Sequence, residues 1–106
     1  MNNSPLIRTV TVRNAEGLHA RPADMLVRMA SKYRADIQIG KNSEWVDCKS
    51  ILSLLTLGAA QGTELSVSAQ GDDAAAAIES ISALFEKGFD DTNEMKDVEN
   101  AVDSER

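Results

Sequence analysis

Residues 17–23 read Gly-Leu-His-Ala-Arg-Pro-Ala, and this stretch marks the change from the first predicted strand to the first predicted helix. Proline is tolerated in the first turn of a helix, where its missing N–H would bond no carbonyl. Pro22 therefore predicts a helix that begins near His19 or Ala20. The first turn of a helix offers backbone N–H groups that favour an anion. The only histidine of the chain thus lies where a phosphoryl group would be stabilised.

Hydrophobic periodicity on both sides of this junction predicts a small α+β domain. In the first strand, Leu6, Val10 and Val12 are expected to face the core. The short connections after the second strand imply antiparallel neighbours, and one sheet with helices on its apolar face is the simplest arrangement of the order β-α-β-β-α-β-α. Strands are predicted at residues 6–13, 36–40, 44–48 and 64–70, and helices after His19, Ser50 and Gly71.

The length and charge distribution predict one domain with an acidic tail. The chain has 106 residues and a net charge of −6, and a chain of this length forms a single domain. Residues 1–88 hold 10 acids and 9 bases, whereas residues 89–106 hold 7 acids and 2 bases. Residues 1–88 are therefore predicted to form the domain and residues 89–106 a flexible tail, with a loose helix as the alternative. The absence of a basic stripe argues against nucleic acid as a partner.

Cysteine usage and hydropathy favour a cytoplasmic location. Cys48 is the only cysteine, so no internal disulfide can form, and it is expected to pack in a strand rather than to react. Residues 1–5 lack the pattern of a signal peptide. No apolar stretch approaches the length of a membrane span, so no membrane insertion is expected.

The residues around His19 suit reversible phosphoryl transfer. Free imidazole has a pKa of about 6.5, so a nucleophilic nitrogen is available at neutral pH. Arg21 adds a forked donor that matches phosphate oxygens. The chain lacks a glycine-rich phosphate loop, a metal-ligand cluster and a second histidine, which argues against a kinase and against any cofactor or metal. His19 is interpreted as a site on which larger enzymes act; the alternative is that it only caps the helix.

A second candidate site follows Lys49. Ser50 is predicted to cap a short helix that is almost entirely apolar. Such a helix cannot bury every side, so Ile51, Leu52 and Leu55 are expected to form a partner-docking surface, with Arg28 of the first helix as a further docking residue. The alternative is that all three pack inward. Ser50 is either a plain cap or a cap that is also phosphorylated, which would place charge beside the docking surface.

Two motifs resemble one known family. Residues 17–23 look like the active-site signature of the HPr family, the histidine-containing phosphocarriers of the bacterial phosphoenolpyruvate:sugar phosphotransferase system. Residues 49–51, with residues 54–58 and 61–62, resemble its regulatory-serine segment, and the similarity covers residues 6–88. The resemblance implies an open-faced β-sandwich, in which a four-stranded antiparallel sheet carries three helices on one face.

The resemblance also implies roles for individual residues. His19 would take a phosphoryl group through Nδ1 from phosphorylated enzyme I and pass it to enzyme IIA domains. Arg21 would be the phosphate-neighbouring arginine, and Ser50 would match the serine modified by HPr kinase/phosphorylase. The docking helix face would correspond to Ile51, Leu52 and Leu55.

The sequence departs from the family pattern at Glu16, where Asn or Ser is usual, and Glu16 is given no ligand role. The sugar and nitrogen branches of the family both remain open. The prediction is a monomeric cytoplasmic phosphocarrier that is not itself an enzyme. The alternatives are a regulatory module of the nitrogen-type branch or of catabolite control, and a small ligand-binding domain in which His19 is structural.

Overall fold

The computed structural model describes residues 4–90, which form a four-stranded antiparallel sheet with three helices on one face. The predicted α+β class and element order are confirmed. No helix in this part of the chain is long and apolar enough to span a membrane. The elements are β1 (Leu6–Thr11), α1 (Ala20–Ala30), β2 (Asp36–Lys41), β3 (Glu44–Asp47), α2 (Ile51–Thr56), β4 (Glu64–Gln70) and α3 (Ala74–Glu86).

The sheet order is β1-β4-β2-β3, so β4 lies between β1 and β2. Val10 pairs with Leu65, and Val67 pairs with Ile39, and all four side chains are buried beneath the helices. The prediction for Leu6 is wrong, because 44% of this residue is exposed. Leu6 is the first residue of an edge strand, and its end position leaves it partly uncovered.

Only one face of the short hairpin formed by β2 and β3 is buried. Val46 packs against the core, whereas 42% of Trp45 is exposed. Trp45 pairs with Gly40, and a Cβ added at Gly40 would lie 2.8 Å from the indole ring. The missing side chain of Gly40 therefore makes room for the indole on the open face of the sheet.

Helix α3 ends in a turn that returns the chain to the core. The Phe89 N–H donates to the Leu84 carbonyl at 3.0 Å, and the Gly88 N–H donates to the Phe85 carbonyl at 3.0 Å. Gly88 has φ +65°, so these bonds form the Schellman arrangement that commonly ends helices. The Phe89 ring is fully buried and meets the Phe85 ring edge-on at 5.0 Å.

The buried position of Phe89 differs from the predicted domain boundary. The charge distribution placed residues 89–106 in the tail, but a hydrophobic residue that follows a helix-ending glycine commonly packs back on the helix. Phe89 is therefore a core residue. The prediction of a flexible acidic tail otherwise concerns residues 91–106, which lie outside the described residues.

Candidate functional site

The loop before α1 is held against the segment that follows α2. Gly17 has φ +73°, and a Cβ there would lie 2.4 Å from the Ala59 carbonyl oxygen, so only glycine fits. The Leu18 N–H donates to that same carbonyl at 2.9 Å, and the Asn14 side-chain amide donates to the Gly17 carbonyl at 2.6 Å. These contacts fix the backbone immediately before His19.

His19 occupies the N-cap position of α1 with an extended backbone. Its carbonyl accepts the first helical hydrogen bond, from the Ala23 N–H at 3.0 Å, but its imidazole makes no capping bond. The side chain is 36% exposed. His19 is therefore the N-cap residue by position, while its imidazole caps no backbone N–H of the helix. The ring lies at the helix start and is open to solvent on one side.

Glu16 contacts the imidazole directly. Its Oε1 lies 3.0 Å from Nε2 of His19, and its side chain is 76% exposed. This is an ion-pair distance, and both groups are charged only when the imidazole is protonated. No ligand role was expected for Glu16, although its spacing of three residues from His19 was a signal for such a contact.

Arg21 begins in the same helical turn, and its guanidinium extends towards the end of α3. Its Nη1 donates to the Phe89 carbonyl at 2.9 Å and contacts the sulfur of Met25 at 3.2 Å. The structure therefore brings His19 and Arg21 to one helix start and links that start to Phe89, three residues beyond the end of α3. Nothing in the sequence indicated this partner, because the two residues are 68 positions apart.

The predicted N-cap at Ser50 is confirmed. Its Oγ accepts a hydrogen bond from the Ser53 N–H at 3.3 Å. The preceding residue is also anchored, since the Lys49 ammonium donates to the Tyr33 carbonyl at 2.8 Å. The Lys49 N–H donates to the Asp47 carboxylate at 2.9 Å. These three hydrogen bonds fix the turn that leads into α2.

The apolar residues of α2 divide between the core and the surface. Leu54 is fully buried and Ile51 packs partly against the core, whereas Leu52 is 73% exposed and Leu55 is 38% exposed. The alternative in which all of them pack inward is therefore wrong. We call Leu52 and Leu55 the leucine surface.

Arg28 lies on α1, which packs against α2, and it is exposed. Its Nε donates to the Asp24 carboxylate at 2.8 Å, one helical turn earlier. Arg28 also borders a groove of about 460 Å³ between α1 and α3, which was not among the predicted sites. The spacing of Met25 and Met29 on one side of α1 was the available signal. The groove is lined by Met25, Arg28, Met29, Lys32, Leu84, Lys87, Phe89 and Asp90.

Cys48 takes no part in this surface. Its side chain is fully buried, and burial, with a smaller contribution from the neighbouring Asp47, raises the pKa of the thiol to about 12. The expectation that Cys48 is packed is confirmed, but it lies in the turn after β3 and not in the strand. A thiol with so high a pKa holds almost no thiolate at neutral pH and is a poor nucleophile.

One protein family matches almost all of the described part of the chain. The family model described as PTS HPr component phosphorylation site matches residues 6–87. The phosphocarrier protein HPr of Treponema pallidum is 35% identical over 86 residues, which cover 81% of this chain and 98% of that protein. A multiphosphoryl transfer protein of Haemophilus influenzae is 38% identical over 81 residues, which cover 74% of this chain but only 16% of that longer protein.

Solved structures agree with these sequence matches. A crystal structure of HPr from Thermoanaerobacter tengcongensis has 39% identity and a TM-score of 0.77, covering 79% of this chain and 94% of its own. HPr from Bacillus anthracis has 34% identity and a TM-score of 0.74, covering 78% of this chain and 99% of its own. Crh, the catabolite repression HPr of Bacillus subtilis, has 36% identity and a TM-score of 0.58 in solution, covering 76% of this chain and 95% of its own.

Proposed function

Because the chain belongs to the HPr family of phosphotransferase-system phosphocarriers, we propose that His19 carries the phosphoryl group, accepting it on Nδ1 from phosphorylated enzyme I and passing it to enzyme IIA domains. One observation supports this most. The imidazole is 36% exposed at the start of α1, and Glu16 lies beside its Nε2 rather than its Nδ1. A partner can therefore reach a nucleophilic nitrogen beside a helix N-terminus.

The start of α1 supplies the stabilisation that a carrier needs. The N-terminal end of a helix has a partial positive charge and N–H groups that bind phosphate. The guanidinium of Arg21, two residues from His19, adds a full positive charge to this turn and matches phosphate oxygens geometrically. Its contact with the Phe89 carbonyl holds it in place before the phosphoryl group arrives. His19 and Arg21 are thus proposed as acceptor and phosphate neighbour.

The leucine surface is proposed as the part of the molecule on which enzyme I and the enzyme IIA domains dock. Leu52 and Leu55 lie three residues apart on α2 and are 73% and 38% exposed, so they form an adjacent apolar pair of the kind that partners contact. Ile51 flanks the surface, and Arg28 lies on the adjacent helix. His19 is proposed to be a substrate of the enzymes that dock here, rather than part of an enzyme.

The phosphocarrier function is tested by incubating the chain with phosphoenolpyruvate and its cognate enzyme I. We expect one phosphate per chain, labile in acid and stable in base, as a phosphoramidate on imidazole should be. His19→Ala should abolish it, while circular dichroism shows an unchanged fold. An unmodified wild-type chain, or full modification of His19→Ala, would contradict the proposal.

A second function rests on Ser50. Its Oγ already accepts a hydrogen bond at the start of α2, next to Leu52, so a phosphate there would add charge beside the leucine surface. We propose that HPr kinase/phosphorylase, where it is present, modifies Ser50 and thereby weakens docking. Acid-stable phosphate formed with ATP and that kinase, and lost in Ser50→Ala, is the expected result. Modification of Ser50→Ala would place the site elsewhere.

The proposed oligomeric state is a monomer. Of the solved relatives, HPr from Thermoanaerobacter tengcongensis also has a structure described as a dimer, and Crh from Bacillus subtilis has one described as a domain-swapped dimer. Light scattering at several protein concentrations distinguishes the two states. A mass near the 11.4 kDa of one chain is expected.

A further inference from the structure

The groove between α1 and α3 presents apolar surface that the folded domain leaves uncovered. Met25, Met29 and Leu84 line it and pack against the core, yet each is only partly buried. The volume of about 460 Å³ lies within the roughly 300–1,000 Å³ of pockets that bind ligands. Methionine side chains are flexible and adapt to what they contact. The groove can therefore receive the apolar face of another segment of chain.

The rim of the groove is basic. Arg28, Lys32 and Lys87 are exposed around it, and Asp90 is the one acid among the described residues that line it. Arg28 is paired with Asp24, whereas neither lysine forms an ion pair within the described part of the chain. Positive charge beside apolar surface favours an occupant that is both acidic and apolar.

The chain itself supplies such an occupant in residues 91–106, which we call the acidic segment. It holds six acids and two bases, hence a net charge of −4. Its large apolar residues are Met95, Val98 and Val102, spaced by three and four residues. In a helix this spacing places all three side chains on one face. The acidic segment thus combines an apolar face for the floor of the groove with carboxylates for its rim.

We propose that the acidic segment folds back into the groove between α1 and α3, with its apolar face on the two methionines and its carboxylates beside the two lysines. The segment begins at the groove, because Phe89 and Asp90, the two residues before it, line the groove. A segment tethered next to its site has an effective concentration in the millimolar range, so contacts that are weak between separate molecules can fill the groove. This inference does not depend on the proposed role of His19.

NMR spectroscopy of the full-length chain tests this docking. The chain has four methionines, at positions 1, 25, 29 and 95, so methionine methyl labelling places probes in both the groove and the acidic segment. In the wild type at low salt we expect nuclear Overhauser effects between the methyl group of Met95 and those of Met25 or Met29. These effects should weaken in about 0.5 M salt, because the Debye length falls to about 4 Å and the charges of the lysines are screened.

Val98→Asp and Asn100→Asp form a matched pair of variants. Each adds one negative charge to the acidic segment, but in a helix Val98 shares the apolar face with Met95, whereas Asn100 lies on the opposite side. Val98→Asp should abolish the Overhauser effects and shift the methyl signals of Met25 and Met29. Asn100→Asp should leave both as they are in the wild type.

The basic rim is tested by a second pair of variants. Lys32→Glu reverses a charge at the groove and should weaken the Overhauser effects. Arg34→Glu makes the same change at an exposed residue outside the groove and should leave them unchanged. Circular dichroism verifies the fold of all four variants.

Three outcomes would overturn the proposal. In the first, the wild type shows no Overhauser effect between Met95 and the groove, and Val98→Asp leaves the methyl signals of the groove unchanged. In the second, the effects arise between a labelled and an unlabelled copy, so the groove holds the acidic segment of a second chain. In the third, the methyl signals of the groove shift only when enzyme I is added, so the groove belongs to that partner. None of the three bears on the phosphorylation of His19, which the assay with phosphoenolpyruvate decides.

Discussion

The guanidinium of Arg21 donates a hydrogen bond of 2.9 Å to the backbone carbonyl of Phe89, which connects the first turn of α1 to the residue that follows the α3 C-terminal turn. Arg21 is exposed, so this bond contributes only about 1 kcal/mol to the free energy of unfolding. We predict that Arg21→Ala slows phosphorylation by enzyme I without unfolding the domain. Rates from a quenched-flow assay, with urea unfolding alongside, measure both effects.

Arg21→Lys is the matched variant, because it keeps the positive charge and loses the planar fork of donors. It should recover only part of the rate, since a single ammonium cannot bind two phosphate oxygens in parallel. A loss of several kcal/mol of stability in Arg21→Ala would show that the arginine acts through folding. Equal phosphorylation rates for the wild type, Arg21→Ala and Arg21→Lys would show that Arg21 does not contribute to phosphoryl transfer.

The leucine surface predicts opposite effects for neighbouring residues of α2. Leu52 is 73% exposed, so Leu52→Asp should weaken binding to enzyme I and leave the free energy of unfolding within about 0.5 kcal/mol of the wild type. Leu55→Asp should act in the same direction. Leu54 is fully buried, and Leu54→Ala should cost about 2–5 kcal/mol of stability. Calorimetric titration with enzyme I and urea unfolding separate the two effects.

Unchanged affinity in both Leu52→Asp and Leu55→Asp would place the partner interface elsewhere on the molecule. Thr56→Asp serves as the control for added charge, because Thr56 is also exposed on α2 but is polar. It should reduce the affinity for enzyme I less than Leu52→Asp does.

Because Phe89 is buried, we predict that the chain beyond the last helix contributes to the stability of the domain. Its ring is fully buried against Phe85, so Phe89→Ala should lower the free energy of unfolding by about 3–5 kcal/mol. Phe89→Leu, which keeps most of the buried volume, should cost less. Urea unfolding measures both variants, and a loss below about 1 kcal/mol in Phe89→Ala would contradict the packing described for this residue.

Much of this fold follows from local sequence pattern. The alternation in residues 64–70 and the proline at 22 locate β4 and the start of α1 without tertiary information. The predicted ends of the strands and helices were less accurate. Strand β1 ends at Thr11 rather than Arg13, because the Val12 N–H donates to the carbonyl of the loop residue Thr63 rather than to a strand. Periodicity shows which residues of a strand share a face, but it does not show which segment of the chain the backbone hydrogen-bonds to.

The site was predicted less completely than the fold, because its contacts join distant parts of the chain. His19 and Ser50 were found from glycine, proline and capping patterns, which act over a few residues. The bond of Arg21 to Phe89 spans 68 positions and depends on how α1 and α3 pack. The contact of Glu16 is local, yet it depends on the left-handed backbone of Gly17. Neither contact can be read from the composition of the chain.

The acid stability of the domain should depend on Asp73. Its carboxylate accepts hydrogen bonds from the backbone N–H groups of Arg34 at 2.9 Å and Ala35 at 2.8 Å, and these bonds hold the pKa of Asp73 below its ordinary value of 3.8. A pKa lowered by folding stabilises the native state above the unfolded pKa, and this contribution is lost as the pH falls through the folded pKa. Asp73→Asn should therefore be less stable than the wild type at pH 7.

The difference between Asp73→Asn and the wild type should shrink as the pH falls below about 4, where Asp73 of the wild type is progressively protonated. Thermal unfolding between pH 2.5 and 7 measures this difference. Asp72→Asn is the control, since the neighbouring Asp72 is exposed and has the same charge. If the difference in stability between Asp73→Asn and the wild type stays constant with pH, the charge of the carboxylate is not what stabilises the contact of Asp73 with Arg34 and Ala35.

Cys48 should report on unfolding rather than on function. Its thiol is fully buried, and burial raises its pKa to about 12, so both access and thiolate content are low in the native state. We predict that a disulfide reagent such as 5,5′-dithiobis(2-nitrobenzoate) at pH 8 reacts at least about a hundredfold more slowly with the native chain than with the urea-unfolded chain. Absorbance at 412 nm follows the reaction, and Leu54→Ala, by lowering stability, should accelerate the native reaction. Immediate reaction of the native wild type would mean that β3 and the following turn leave the thiol open to solvent.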